Sequence, residues 1–230
     1  MFDIVFVSYK EPDCEQRFNK LKKQIPFIKR VHGVKGIHNA HIKAAELCDT
    51  NMFYVIDGDA DLLDTFSFDV NLKHNLKISD DTVYVWQSIN PINNLIYGYG
   101  GIKLLPRKLV LEIDKNTNDM TTSISQNFCI VEQISNITCF NTDKFSTWRS
   151  AFRECAKLAS KTIDRQQQGE TDERLKTWTT VGHDRPFGKY ALEGATAGME
   201  FGLSSRANLR LINDFDWLRK EYEKTFSIRM

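Results

Sequence analysis

The 230-residue chain lacks the marks of several large classes. Its longest uninterrupted apolar run is Met52–Ile56, whereas a membrane-spanning helix needs about 20 residues. Its five cysteines form no CxxC pair, which argues against a disulfide framework and a cysteine-type zinc site. Neither GxGxxG nor GxxxxGK followed by Ser or Thr occurs, which disfavours a dinucleotide dehydrogenase and a P-loop NTPase. There is no internal repeat and no low-complexity segment. The start, Met1-Phe2-Asp3, has neither the basic region nor the long apolar stretch of a secretory leader, so the expectation is a reduced, cytoplasmic protein with no membrane partner. An excess of one charge is missing too: 31 Lys and Arg face 30 Asp and Glu, a net charge of +1.

What is present is enough apolar surface for one sizeable core, 41% of residues with 11% aromatic, and the length suits a single domain over 1–230. Near-neutrality hides an asymmetry. Residues 1–143 carry 15 basic and 18 acidic side chains, and residues 144–230 carry 16 and 12. From Arg17 to Lys43 eight Lys and Arg occur with no acid before Glu46, a stretch suited to phosphates or equally to a solvated helix face.

Residues 2–9 read as a strand buried on both faces, and Phe18, Leu21 and Ile25 recur at helical spacing before Pro26. A short apolar stretch and a Gly33–Gly36 loop precede a small-residue helix over 38–48. Met52–Asp57 is a second buried strand, and this order predicts a parallel βαβ start. A strand over 82–86, a Gly-rich strand–turn segment over 95–105, a short helix over 106–113 and short strands at 128–131 and 137–140 follow. The remainder is helical: Phe145, Trp148, Phe152, Cys155 and Ala159 mark one helix, residues 164–172 read as a polar loop, and a last helix begins near Asn213 and buries Phe215, Leu218, Tyr222 and Phe226.

Three places can carry chemistry. Asp57-Gly58-Asp59, with Asp61 beyond, leaves the end of a buried strand, where alternate carboxylates can converge on a hard cation such as Mn2+ or Mg2+. The bland alternative is an acidic turn. A calcium-binding helix–loop–helix fails, because Leu62 and Phe68 stand where Gly and Glu are required. An aspartyl-phosphate phosphatase also uses Asp-x-Asp, but on the first strand, which here ends in Ser8-Tyr9. The second place is glycine-rich: Tyr97, Gly98, Tyr99, Gly100 and Gly101 suit a flat acceptor or a bulged turn, and Gly182, Gly188, Gly194, Gly198 and Gly202 form a later group. The third is Gly182–Lys189, where His183 is a candidate metal ligand and Arg185 and Lys189 are candidate phosphate contacts. A structural role for His183 is the equal alternative. His38 and His41, one helical turn apart, read as phosphate contacts or exposed side chains.

The first strand, the Gly33-Val34-Lys35-Gly36 loop, the helix carrying His41–Ala45 and the strand ending at Asp57 and Asp59 together resemble a nucleotide-sugar-dependent glycosyltransferase of the GT-A fold. The segments 97–107, 148–154 and 182–185 are similar to glycosyltransferase-like proteins of T-even-type tailed bacteriophages. The resemblance implies a Rossmann-like α/β fold, with a mixed and mainly parallel sheet flanked by helices and a helical C-terminal part. It implies a nucleotide-sugar half over 1–105 and an acceptor half over 106–230. It also implies transfer of a hexose, or a pentose such as arabinose, from a UDP-type donor to a hydroxyl, with 5-hydroxymethylpyrimidine in phage DNA as one acceptor and the host cytoplasm as location. The metal set is then Asp57, Asp59, Asp61 and His183. Tyr9, Lys35, Gly36, Asp57, Arg185 and Lys189 face the donor. Trp86, Gln87, Tyr97, Tyr99, Gly100 and Gly101 face the acceptor. The resemblance identifies no base; Asp184 and Glu154 are the candidate carboxylates, and for Glu154, on the amphipathic helix, an ion pair with an arginine there is the favoured alternative. A non-catalytic nucleic-acid-binding protein built on the basic stretch, and the phosphatase, are the rival readings.

Overall fold

The computed structural model describes residues 1–69, 77–97, 101–115, 119–161, 168–204 and 208–227. They fall into two compact units, one of 1–89 with 96–139 and one of 90–95 with 140–230. The expected halves at 105/106 do not coincide with these units, because the long strand at 127–138 pairs inside the first sheet.

Unit 1 is a mixed α/β layer structure. Its strands are β1 (Asp3–Ser8), β2 (Lys29–His32), β3 (Met52–Asp57), β4 (Ala60–Leu62), β5 (Thr82–Ile89), β6 (Ile96–Tyr97), β7 (Lys103–Pro106) and β8 (Asn127–Thr138). They form one sheet in the order β2-β1-β3-β7-β5-β8-β4, with β6 paired to β5. Pairing is parallel at β1–β2, β1–β3 and β5–β8, and antiparallel at the other four contacts. The two expected strands at 128–131 and 137–140 are thus one strand, β8, whose register against β5 shifts around Gln87.

Helices α1 (Cys14–Gln24) and α2 (Ile37–Glu46) join the first three strands. Strand residues alternate between the faces. Ile4 and Phe6 therefore pack with Cys14, Leu21 and Ile25 of the α1 side, whereas Val5 and Val55 pack with Ala40, Ala44 and Ala45 of α2. The small side chains of α2 let it lie close on the sheet, and α3 (Arg107–Leu111) and α4 (Met120–Ile124) complete that face through Val110, Met120 and Ile124. Because β1 lies between β2 and β3, the chain reverses its winding there. The carboxyl ends of β1 and β3 at this reversal are the place where open α/β sheets bind ligands.

Unit 2 contains α5 (Lys144–Ala159), α6 (Gln168–Thr180), α7 (Gly188–Leu203) and α8 (Phe215–Ser227). Asp143 caps α5, its Oδ1 accepting from the Ser146 amide at 2.9 Å. Trp148 and Phe152 of α5 stack with ring centroids 4.9 Å apart and meet Tyr222 and Trp217 of α8. Leu218 is buried as expected, but Phe215 is 43% exposed, since it opens α8. Residues 168–172, expected in a polar loop, begin α6; residues 162–167 of that loop lie outside the described residues. Among the described residues, no helix is long and apolar enough to cross a membrane.

Candidate functional site

At the carboxyl ends of β1 and β3 the loop after β1 and the turn after β3 are bolted together by their side chains. Glu11 accepts a hydrogen bond from the Tyr9 amide at 2.6 Å. A Cβ on Gly58 would lie 2.8 Å from Glu11 Oε2 and 2.8 Å from Ser8 Cβ, so only glycine lets the turn approach this closely. From the other side Arg17 Nη1 donates to Pro12 O at 2.9 Å and to Gly58 O at 3.3 Å. The Cys139 amide donates to Asp59 O at 2.7 Å, which fixes the far end of the turn.

Asp57 closes β3, and its register partner on β1 is Val7. Lys103, at the start of β7, reaches Asp57 Oδ2 at 2.5 Å; the lysine side chain is 7% exposed and the aspartate 34%. Asp59 is half-buried. Burial first, then the negative charges of Asp57 and Glu11, raise its carboxyl to about 6, with Lys103 acting the other way. Asp57 and Glu11 are the negative neighbours of Asp59 and Lys103 the positive one, while Arg17 bonds the nearby carbonyls of Pro12 and Gly58, so negative charge is in excess. Asp57 and Asp59 are hard oxygen donors of the kind a divalent cation takes, and the Lys103 ammonium stands at Asp57 as its cation. Asp61 does not join them. It lies on β4, half-exposed, and pairs with Lys20 at 3.4 Å. Among the described residues neither the three aspartates nor Glu11, Asp57 and Asp59 form a group of three potential ligand atoms within reach of one another.

Tyr9 follows β1 at these strand ends, with Lys10 Nζ 5.3 Å from its ring centre. Lys35 and Gly36 are exposed where α2 begins. Gly36 has φ 89° and no side chain caps the helix there. Such a terminus presents unpaired amides suited to an anion.

The expected acceptor face changes most. Trp86 is fully buried, its ring 5.6 Å from Tyr54 and 6.0 Å from Phe66, so it is core and meets no acceptor. Gln87 sits at the register shift of β5, where its carbonyl accepts from Ser135 Oγ at 3.0 Å. Gly101 is buried, and a Cβ there would lie 1.7 Å from Trp86 O; it permits strand contact rather than exposing a platform. Tyr97 contributes backbone to β6, while Tyr99 and Gly100 lie outside the described residues.

In unit 2, His183, Asp184, Arg185 and Lys189 are exposed on the turn before α7 and at its first residues. Gly182, at φ 102°, would clash with Ile92 O at 2.4 Å if it bore a Cβ, and Gly188 with Gly182 O at 1.9 Å. Gly194, Gly198 and Gly202 lie against the backbone of α5 at Trp148, Phe152 and Ala156. The later glycine group therefore serves turn geometry and helix packing. Glu154 is half-buried on α5.

Four of the eight basic side chains between Arg17 and Lys43 form ion pairs with acids of the chain. Lys29 pairs with Asp3 and Asp49, Arg30 with Glu15, Lys20 with Asp61 and Lys43 with Glu46. Cys14, Glu15 and His32 bring three potential metal ligands together, but Arg30 bonds Glu15, approaches His32 Nδ1 at 3.3 Å and lies 4.0 Å from Cys14 Sγ, so a guanidinium already serves as their cation.

Sequence reasoning missed Glu11, Arg17 and Lys103, and it misplaced His41. His41 is buried on the sheet-facing side of α2, its Nδ1 donating to Ile37 O at 2.9 Å. Burial holds the imidazole at about 4, against the pull of Asp57, so it is neutral. A lysine between Ile102 and Leu104 was the one legible signal: a charge inside a buried strand requires a partner.

No family model and no curated protein matches the sequence. Among solved structures, the chain is similar to the mannosyltransferase PcManGT from Pyrobaculum calidifontis in complex with GDP-Man and Mn2+, at 11% identity over 99% of this chain and 84% of that one, with a TM-score of 0.45. It is also similar to S. aureus TarS 1-349, at 9% identity over 97% and 92% with a TM-score of 0.38. A putative glucose-1-phosphate thymidylyltransferase from Bacillus anthracis shows 17% identity over 58% of this chain and 69% of that chain, with a TM-score of 0.38. At these scores the likenesses decide neither the family nor the activity.

Proposed function

We propose that this chain is a divalent-cation-dependent glycosyltransferase of the GT-A type, taking its sugar from a nucleoside diphosphate sugar of the UDP kind. The observation that carries the reading is the Asp57-Gly58-Asp59 turn, set at the winding reversal between β1 and β3 and holding more negative than positive charge. Asp59 and Asp57 would hold Mn2+ or Mg2+, which supplies charge neutralisation for the departing diphosphate. Tyr9 would lie along the nucleoside, and Lys35 with the open amides at Gly36 would meet anionic oxygen. In the transfer the sugar C1–diphosphate bond breaks and a bond from C1 to the acceptor oxygen forms. The acceptor proton passes to a carboxylate, for which the sequence offers Asp184 and Glu154. The acceptor is a hydroxyl, with 5-hydroxymethylpyrimidine in DNA as the candidate to test first, and a hexose or a pentose such as arabinose as the sugar. Pairing of half of the basic stretch with acids weakens the main support for a purely nucleic-acid-binding module.

The test is a melting-temperature panel of nucleoside diphosphate sugars with and without Mn2+, on wild type and Asp59→Ala. One donor should raise the melting temperature only with the metal, and Asp59→Ala should lose both that rise and transfer while keeping its ligand-free melting temperature. Full turnover by Asp59→Ala would remove the cation from the mechanism.

A further inference from the structure

His41 carries a buried polar atom that the fold leaves unexplained. Its Nδ1 donates to a carbonyl, which only accepts, so the neutral ring presents Nε2 as a bare acceptor. That atom is buried and has no hydrogen-bond partner among the described residues. An orphan acceptor of this kind is costly unless another state of the protein uses it. The ring lies on the α2 face of the sheet, beside Ala40, Ala44 and Ala45, which pack with Val55. Lys103 is the register partner of Val55, and Asp57 is two residues further along the same face. Asp57 and Lys103 are the two charged groups that act most on His41.

Resting on the metal site of the proposed function, we propose that Lys103 and His41 are positioning residues that exchange partners: the Lys103 ammonium holds Asp57 while the site lacks its cation, and passes to His41 Nε2 when a divalent cation takes Asp57 and Asp59. No bond is made or broken beyond hydrogen bonds, and no proton leaves Lys103. Charge balance permits both cations together. Glu11, Asp57 and Asp59 against Lys103 and Arg17 leave one negative charge in excess, and a divalent ion turns this into one positive charge, the sign a diphosphate needs. The exchange also gives the buried lysine a partner in each state, which a buried charge requires.

Mn2+ binding to the full chain, followed by the electron paramagnetic resonance of the free ion with melting temperatures in parallel, tests this. Lys103→Met removes the competing ammonium and should tighten Mn2+ binding about fivefold or more. His41→Leu strands the displaced ammonium and should weaken binding about tenfold, while His41→Gln, which retains an acceptor, should stay near wild type. In the Lys103→Met background His41→Leu should have no further effect, because the coupling needs both groups. Weaker or unchanged binding by Lys103→Met, or an equal loss from His41→Leu in both backgrounds, overturns the exchange. Lys103→Gln provides a second, polar variant if Lys103→Met lowers the melting temperature. Asp59→Asn separates the two ideas: wild-type Mn2+ affinity in that variant overturns the metal site itself, whereas loss of binding there with unmoved Lys103 and His41 variants overturns the exchange alone.

Discussion

Asp3 shows how one side chain can tie two segments together. Its Oδ2 accepts from the amides of Asp49 and Thr50 at 2.7 and 3.0 Å and from Thr50 Oγ1 at 3.0 Å, and Lys29 lies 2.8 Å from Oδ1. Burial works to raise its carboxyl; the bonds from Lys29, Thr50 and Asp49 outweigh burial and hold it at about 2. A carboxyl depressed on folding stabilises above its unfolded value and loses that contribution as pH falls through the folded value. Asp3→Asn should therefore cost about 2 kcal/mol at pH 7, with the deficit shrinking from about pH 5, mostly lost by about pH 2 and gone near pH 1. Denaturant melts at several pH values measure it, and a pH-independent deficit would assign the effect to packing. Asp57 and Asp59 could be read from the sequence because an apolar strand ends on them. Glu11 could not, since nothing local shows that a loop residue folds over Gly58; Lys103 is legible only as a charge inside an apolar strand, with nothing local to show that β7 runs beside β3 and brings it to Asp57.

At the scale of elements, legibility followed apolar periodicity. The strands at 3–8 and 52–57 and the helix at 144–159 announce themselves by their buried faces. β2 does not, because three of its four residues, Lys29, Arg30 and His32, are polar, as suits an edge strand. α7 is hidden for another reason. Its glycines disfavour helix by about 1 kcal/mol each, and only contact with α5 reveals their use. A Cβ on Gly198 would lie 2.2 Å from Phe152 O, a backbone atom that cannot swing aside. Gly198→Ala should thus destabilise by about 2 kcal/mol or more despite alanine's better propensity, since overpacking outweighs it. Gly169→Ala on α6, where a Cβ meets nothing within 4 Å, should be neutral or stabilising by under about 1 kcal/mol. Equal effects at the two sites would contradict the packing account of the glycine stripe.

At the scale of the whole molecule, each unit carries its own cores. Those around Tyr54 and Val55 belong to unit 1, and those around Ala151 and Trp148 to unit 2. The 139/140 division escapes the sequence because β8 is separated from its partner β5 by some forty residues, a pairing that periodicity does not encode. Separate cores make ligand effects local, since protection from amide exchange follows the cooperative unit that the ligand touches. Saturating sugar nucleotide with Mn2+ should slow exchange at residues 9–13, 33–36 and 57–59, while the interior of α5, already the best-packed part of unit 2, should change little. Exchange at 182–189 then decides the sequence-based expectation for Arg185 and Lys189: slowing there, with an Arg185→Ala variant needing about tenfold more donor for half-saturation, supports it, and an unmoved segment removes it. Slowing confined to unit 2, with none at 57–59, would take the donor away from the carboxyl ends of β1 and β3 altogether.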